Sequence, residues 1–272
     1  MSCIEVPSDL EHVLAAAWKT ACDVPGFLLE DEARLLGMIA ACVRCEGAIV
    51  EIGSFKGKST VMLATVAKHY GLGRVVAIDP HNFNSAELQE HRKNPDSSSY
   101  EDFLRNLEKT GVSDYVEPHR AYSSDVASAW DRPIRFLWID GDHSYRGAKA
   151  DFDGFFPYVT AQGIVAFHDA LHEFAGPLRV FVEDVLRSDR FGAAGFVRSI
   201  AWSQFRPADG ELFRSQRDAL AKTAARVLPY LNEEIELQGI QKILYKLNRA
   251  RVPRGPVPSA KWVSLLNGQQ AG

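Results

Sequence analysis

The sequence predicts a doubly wound α/β domain with a mostly parallel sheet, and three observations carry that prediction. Buried-strand patterns alternate with amphipathic helical ones from residue 48 onward. Polar residues gather at the carboxyl ends of those strands, where open α/β sheets bind their ligands. The 272 residues are 46% hydrophobic and 24% charged, sufficient for one large core that needs neither a structural metal nor a disulfide.

Residues 8–22 and 30–45 read as amphipathic helices, the first with Ser8 as a plausible N-cap. AIVEIG (48–53) is a short apolar run ending in an acid and a glycine, which reads as a buried strand. Helix 57–70 follows, Gly71 to Gly73 close it, and RVVAIDP (74–80) is the second strand. Such a unit takes a right-handed crossover. Segment 81–99 is polar and reads as a surface insertion of lid-like character. Beyond it the pattern gives helix 100–110, a short strand near Tyr115–Glu117, strand 134–143, helix 148–159, strand 163–170, helix 177–189 and a hairpin over 195–207. Counting both hairpin strands, the sheet has seven. Two further helical patterns, 211–231 and 233–248, precede a proline-containing tail expected to pack on a neighbour. The expected organisation is an N-terminal helical cap (1–45), a core (46–207) and a helical C-terminal extension with a basic tail (208–272).

The net charge of −4 gives no reason to expect a nucleic-acid partner. No apolar run approaches the ~20 residues of a membrane span, and the N-terminus lacks a basic region followed by an apolar one. The expectation is a cytoplasmic protein with no membrane partner, assembled as a homo-oligomer, a dimer first of all. The cysteines are Cys3, Cys22, Cys42 and Cys45. Cys42 and Cys45 form a C-x-x-C, but they sit in an apolar helical pattern without a second metal-type pair, so all four read as buried reduced thiols.

The loop Glu51-Ile-Gly-Ser-Phe-Lys-Gly-Lys-Ser59 is one residue short of a phosphate-binding G-x-x-x-x-G-K-[ST] loop, and that residue helps the amides close around a phosphate. A dinucleotide G-x-G-x-x-G is absent as well. A phosphate-binding nucleotide hydrolase and a non-catalytic ligand-binding protein stay open as alternatives.

Acid-x-Gly at the end of the first strand, followed by a small-residue turn into a helix, resembles motif I of class I S-adenosylmethionine-dependent methyltransferases. The resemblance spans roughly residues 45–205 and sharpens at D-G-D-H-S-Y (140–145) and F-H-D-A (167–170). Those segments are similar to a group that includes antibiotic-tailoring and sugar O-methyltransferases. Length and C-terminal extension are similar to those of mycobacterial polysaccharide 1-O-methyltransferases acting on methylated mannosides.

The resemblance implies a seven-stranded Rossmann-like sheet and S-adenosylmethionine as cofactor. Gly53 would let the backbone approach the cofactor's amino-acid part, with Glu51 bonding its ammonium or the loop amides and Ser54 and Ser59 in the same set. Asp79 would accept the ribose hydroxyls, Ser123 and Ser124 would border the adenine, and Asp140 would join the cofactor contacts. Members of the group often bind Mg²⁺, which here assigns Asp140, Asp142, His168 and Asp169 as metal ligands. His143 is the candidate general base, because an alcohol becomes a good nucleophile only as its proton leaves. His81, His91, His119 and His172 read as surface or loop residues. The partner expected is a small-molecule or oligosaccharide acceptor.

Overall fold

The computed structural model describes residues 4–82, 99–231 and 237–268. Two helices, α1 (Leu10–Ala21) and α2 (Glu30–Cys42), precede the sheet. The core then runs β1 (Ala48–Ile52), α3 (Lys58–Tyr70), β2 (Val75–Ile78), α4 (Ser99–Thr110), β3 (Val116–His119), α5 (Ser123–Ser128), β4 (Ile134–Ile139), α6 (Tyr145–Phe155) and β5 (Val159–Phe167). Helix α7 (Gly176–Val180) continues as a π-helical turn, Phe181–Leu186, into the hairpin β6 (Phe191–Val197) and β7 (Ile200–Phe205). Helices α8 (Arg214–Ala224), α9 (Gly239–Arg249) and α10 (Ser259–Leu266) complete the described chain.

The seven strands lie in the order β3-β2-β1-β4-β5-β7-β6. Strands β1 to β5 pair in parallel, and β7 runs antiparallel to both β5 and β6. The expected doubly wound, mostly parallel sheet is present, with its reversal of strand order between β1 and β4. Period-two alternation divides the core in two. In β4, Phe136 and Trp138 join the cluster under α1 to α3, whereas Leu137 and Ile139 join the cluster under α6, α7 and α8. That is why β4 reads as a continuous apolar run: both of its faces are covered.

Several boundaries differ from expectation. Helix α6 begins at Tyr145, earlier than predicted, because Ser144 caps it by accepting the Gly147 amide at 3.0 Å. Strand β5 likewise begins at Val159, ahead of Gly163, where a side chain would press on the Thr160 and Arg135 carbonyl oxygens. The end of the proline-containing tail packs on its own chain's sheet. Trp262 of α10 is fully buried, with its ring edge-on to Trp202 of β7 at 5.5 Å. The insertion expected over 81–99 falls mostly outside the described residues, and so does His91.

The four-thiol reading needs correction. Cys45 is disulfide-bonded, while Cys42 and Cys22 are free. Ile4 pairs antiparallel with Val43, and the Glu5 amide donates to the Cys42 carbonyl at 3.2 Å, so the start of the chain runs alongside this segment. Burial pushes the Cys42 thiol up to about 12, leaving it inert.

Candidate active site

Four residues stand in one row across the carboxyl end of the sheet, because the ladder bonds continue one step past the strands. The amide of Asp79 donates to His119, that of Gly53 to Ile78, that of Asp140 to Ile52 and that of His168 to Ile139, at 2.8–3.1 Å. Strand ends β2, β1, β4 and β5 therefore deliver Asp79, Gly53, Asp140 and His168 side by side, at the switch in strand order where ligands bind.

Gly53 has φ +87°, and a Cβ there would collide with the Asp140 carbonyl oxygen. The glycine is thus demanded by the approach of the β1 loop to the β4 loop, whatever it offers a ligand. In the same turn Phe55 donates its amide to Asp79 Oδ2 at 2.8 Å, and His81 donates its own to Oδ1 at 2.7 Å. Asp79 so fastens the β1 loop to the β2 loop and leaves one remaining lone pair on each oxygen for a ligand. Ser54 Oγ is buried and has no hydrogen-bond partner among the described residues. A buried hydroxyl without a partner is costly in water's absence.

Glu51 sits deeper than expected. It is fully buried, and its two oxygens accept from the Ser59 hydroxyl and, at 2.5 Å, from the Thr60 hydroxyl. Burial pushes its carboxyl up to about 8 against those two bonds. Glu51 and Ser59 therefore lock β1 to the first turn of α3 and do not present themselves to a ligand directly. Ser123 begins α5 and donates to Asp151 of α6, whereas Ser124 is exposed. Asp151 is buried beside Gly141, and burial pushes its carboxyl up to about 6. Sequence reasoning missed it, since an acid inside an amphipathic helix gives no signal. His81 was misjudged too: it is buried, with Nδ1 2.8 Å from Ser99 Oγ and its ring against Tyr100 and Phe103.

On the β4–β5 side the predicted residues do meet. His143 Nε2 lies 3.4 Å from Asp140 Oδ1 and 3.9 Å from Asp169 Oδ2, and its ring faces Phe174 at 4.8 Å. Glycine 176 abuts the carbonyls of His143 and Ser144 so closely that any side chain would displace them, and its amide donates to His143 at 3.1 Å. Burial favours neutral imidazole at His143, but the bond and charge of Asp140, with Asp169 behind, outweigh it and raise the pKa above 6.5. Asp169 itself has φ +50°, a left-handed conformation that Asp tolerates better than most residues.

His168 is buried between carboxylates. Its Nδ1 lies 2.9 Å from Asp140 Oδ1, and its Nε2 faces Glu32 Oε2 at 3.6 Å. Burial opposes the charge, but Asp140 and Glu32 overcome it and hold His168 well above its ordinary value. Glu32 is in turn bonded by the Leu29 amide and by the amide and hydroxyl of Ser199, at 2.6–3.0 Å. Nothing in the sequence pointed to Glu32, because an acid in the first turn of a helix is ordinary.

The expected Mg²⁺ ligand set is not assembled. Among the described residues no group of three or more His, Cys, Asp or Glu side chains is arranged to hold a metal. Asp142 turns away to accept the Ser144 amide and hydroxyl at 2.9 and 3.0 Å. Asp140 Oδ1 is taken by the two histidines, at 3.4 Å from His143 Nε2 and 2.9 Å from His168 Nδ1. A separate cavity of about 350 Å³, between α1, α2 and residues 256–259, contains none of the predicted site residues.

Residues 50–170 match the family model described as a methyltransferase domain. Several solved structures share the fold. The O-methyltransferase NovP is 14% identical with a TM-score of 0.55, over 72% of this chain and 98% of that one. Cofactor-bound Rv0187 from MTB is 18% identical with a TM-score of 0.52, over 72% and 90%. The O-methyltransferase TomG from Streptomyces achromogenes, solved with S-adenosylmethionine and involved in tomaymycin synthesis, is 18% identical with a TM-score of 0.50, over 75% and 92%. The row of polar residues at the sheet's switch point lies within residues 50–170, the stretch that matches the methyltransferase-domain model.

Proposed function

We propose that this protein transfers a methyl group from S-adenosylmethionine to a hydroxyl of a small-molecule acceptor, with a sugar or oligosaccharide as the first class to test. The observation that carries the reading is His143, an imidazole 19% exposed at the edge of the strand-end row and oriented by Asp140 and Asp169. The solved O-methyltransferases of the same fold and the D-G-D-H-S-Y resemblance support oxygen as the acceptor atom.

When bound, S-adenosylmethionine supplies an electrophilic methyl carbon on a positively charged sulfur. Asp79, Gly53 and Ser54 would hold it. Transfer would join the acceptor oxygen to that carbon and leave the carbon–sulfur electron pair on sulfur, while neutral His143 would take the hydroxyl proton. Asp140 and Asp169 favour the imidazolium that results, so the proton has a stabilised destination. Asp140 is itself held by the buried His168, which fixes the carboxylate that orients the base. A metal is not required by any of these steps.

Acceptor screening with a generic S-adenosylhomocysteine-release assay tests the proposal. Release that depends on a hydroxylated acceptor, and falls at least tenfold in His143→Ala, is expected. Release with amine or thiol acceptors alone would overturn it.

A further inference from the structure

Helix α9, Gly239–Arg249, is fastened to the core by polar contacts. Ile240, Ile243 and Leu247 stay exposed, and Tyr245 is its buried residue. The Tyr245 phenol donates to the Leu171 carbonyl at 2.8 Å, and Lys242 Nζ reaches Glu173 Oε1 at 3.7 Å. Burial pushes the Tyr245 hydroxyl up to about 12, so it still donates over the range in which His143 changes charge.

Both contacts fall on the loop between β5 and α7, which is pinned at each end. The Leu171 amide donates to the Ser199 carbonyl at 3.4 Å, and the Gly176 amide to the His143 carbonyl at 3.1 Å. Between the pins stands Phe174, half-buried, its ring centre 4.8 Å from that of His143 with the planes at 33°. The exposed His172 ring stacks with Phe174 at 5.8 Å. Carboxylates therefore border the His143 imidazole at Nε2, and an aromatic ring covers it. Loop and helix both lie beyond residues 50–170, the stretch that matches the family model.

A hydroxyl that reaches His143 brings its neighbouring atoms against Phe174, and an aromatic ring gives up water favourably only to an apolar surface. We propose that Phe174 positions the acceptor by receiving an apolar face of it, such as the C–H face of a sugar ring, and that α9 holds Phe174 in place through Tyr245 and Lys242. The inference rests on His143 as the base of the proposed transfer. Phe174 touches the acceptor, whereas Tyr245 and Lys242 are positioning residues that act only through the loop.

Kinetics and chemical labelling of the full chain test this. With an acceptor that supports S-adenosylhomocysteine release, Phe174→Ala should raise the acceptor KM about tenfold, the lower end for an apolar contact in a pocket, and Phe174→Leu should restore most of it. Tyr245→Phe removes only the hydroxyl and should raise the same KM roughly threefold, within the range for one hydrogen bond. Lys242→Glu should act in the same direction. Diethyl pyrocarbonate acylates accessible imidazoles and needs no acceptor. It should label His143 several-fold faster in Phe174→Ala, and faster in Tyr245→Phe, as read by peptide mass spectrometry. S-adenosylhomocysteine affinity, unchanged in all variants, reports that they fold. Unchanged acceptor KM or unchanged His143 labelling in Phe174→Ala would overturn the inference, and so would a Tyr245→Phe variant that matches the unaltered chain in both. About tenfold loss in His143→Ala beside an unaffected Phe174→Ala overturns this inference alone, whereas full activity in His143→Ala overturns the reading on which it rests.

Discussion

His168 Nδ1 and Asp140 Oδ1 are 2.9 Å apart, which places a buried imidazole directly behind the carboxylate that faces His143. Burial works against the charge of Asp140, yet His168 and His143 keep its carboxyl below the ordinary range.

Turnover should accordingly persist in excess chelator, and added Mg²⁺ should leave it unchanged. Initial rates of S-adenosylhomocysteine release with and without chelator decide this; loss of activity that Mg²⁺ restores would show that Asp140 and Asp169 rearrange around a cation.

Replacing Glu32 by Ala removes one of the two carboxylates around His168 and strips the Leu29 and Ser199 amides of their acceptor. Breaking a buried pair in this way costs about 3–5 kcal/mol. Urea unfolding measures it, and a loss under about 1 kcal/mol would mean that His168 is neutral in the folded protein.

The Glu51 carboxyl, pushed from 4.5 to about 8 by burial, binds a proton in the folded state that the unfolded chain releases over that interval. Stability therefore falls as pH rises from 4.5 through about 8 on its account. Glu51→Gln, which keeps the shape and needs no proton, should flatten that part of the stability–pH curve. An unchanged slope would show that Glu51 is ionised and satisfied by Ser59 and Thr60 alone.

For His143 the sign runs the other way in activity. Its raised pKa means that the base form is lost as pH falls, so the rate should climb with pH through a midpoint above 6.5. His143→Ala should lose at least tenfold in rate together with this acidic limb, at unchanged cofactor affinity. A variant that keeps the limb would assign it to another group.

Asp79→Ala should weaken S-adenosylhomocysteine binding by about 1.5–3 kcal/mol, as expected for charge-assisted hydrogen bonds. Part of that loss would come through the β1 loop, since the Phe55 amide loses its partner. Calorimetric titration checks it; unchanged affinity would remove Asp79 from the cofactor site.

Local pattern alone determined the order of strands and helices, the doubly wound class and the strand-end location of Gly53, Asp79, Asp140, His143 and His168. Each of these follows from period-two or helical spacing and from polar residues that end apolar runs, all short-range properties. Only the tertiary structure decided which of those polar groups face a ligand and which face each other. Glu51 turned inward to Ser59 and Thr60, Asp142 became a partner of Ser144, and His168 was claimed by Glu32, which is far from it in sequence. The outward apolar face of α9 was equally illegible, because periodicity reveals that a helix has two faces but not which one packing will cover. Burial and long-range pairing set the charge of each group, and neither is a property of the neighbouring residues in the chain.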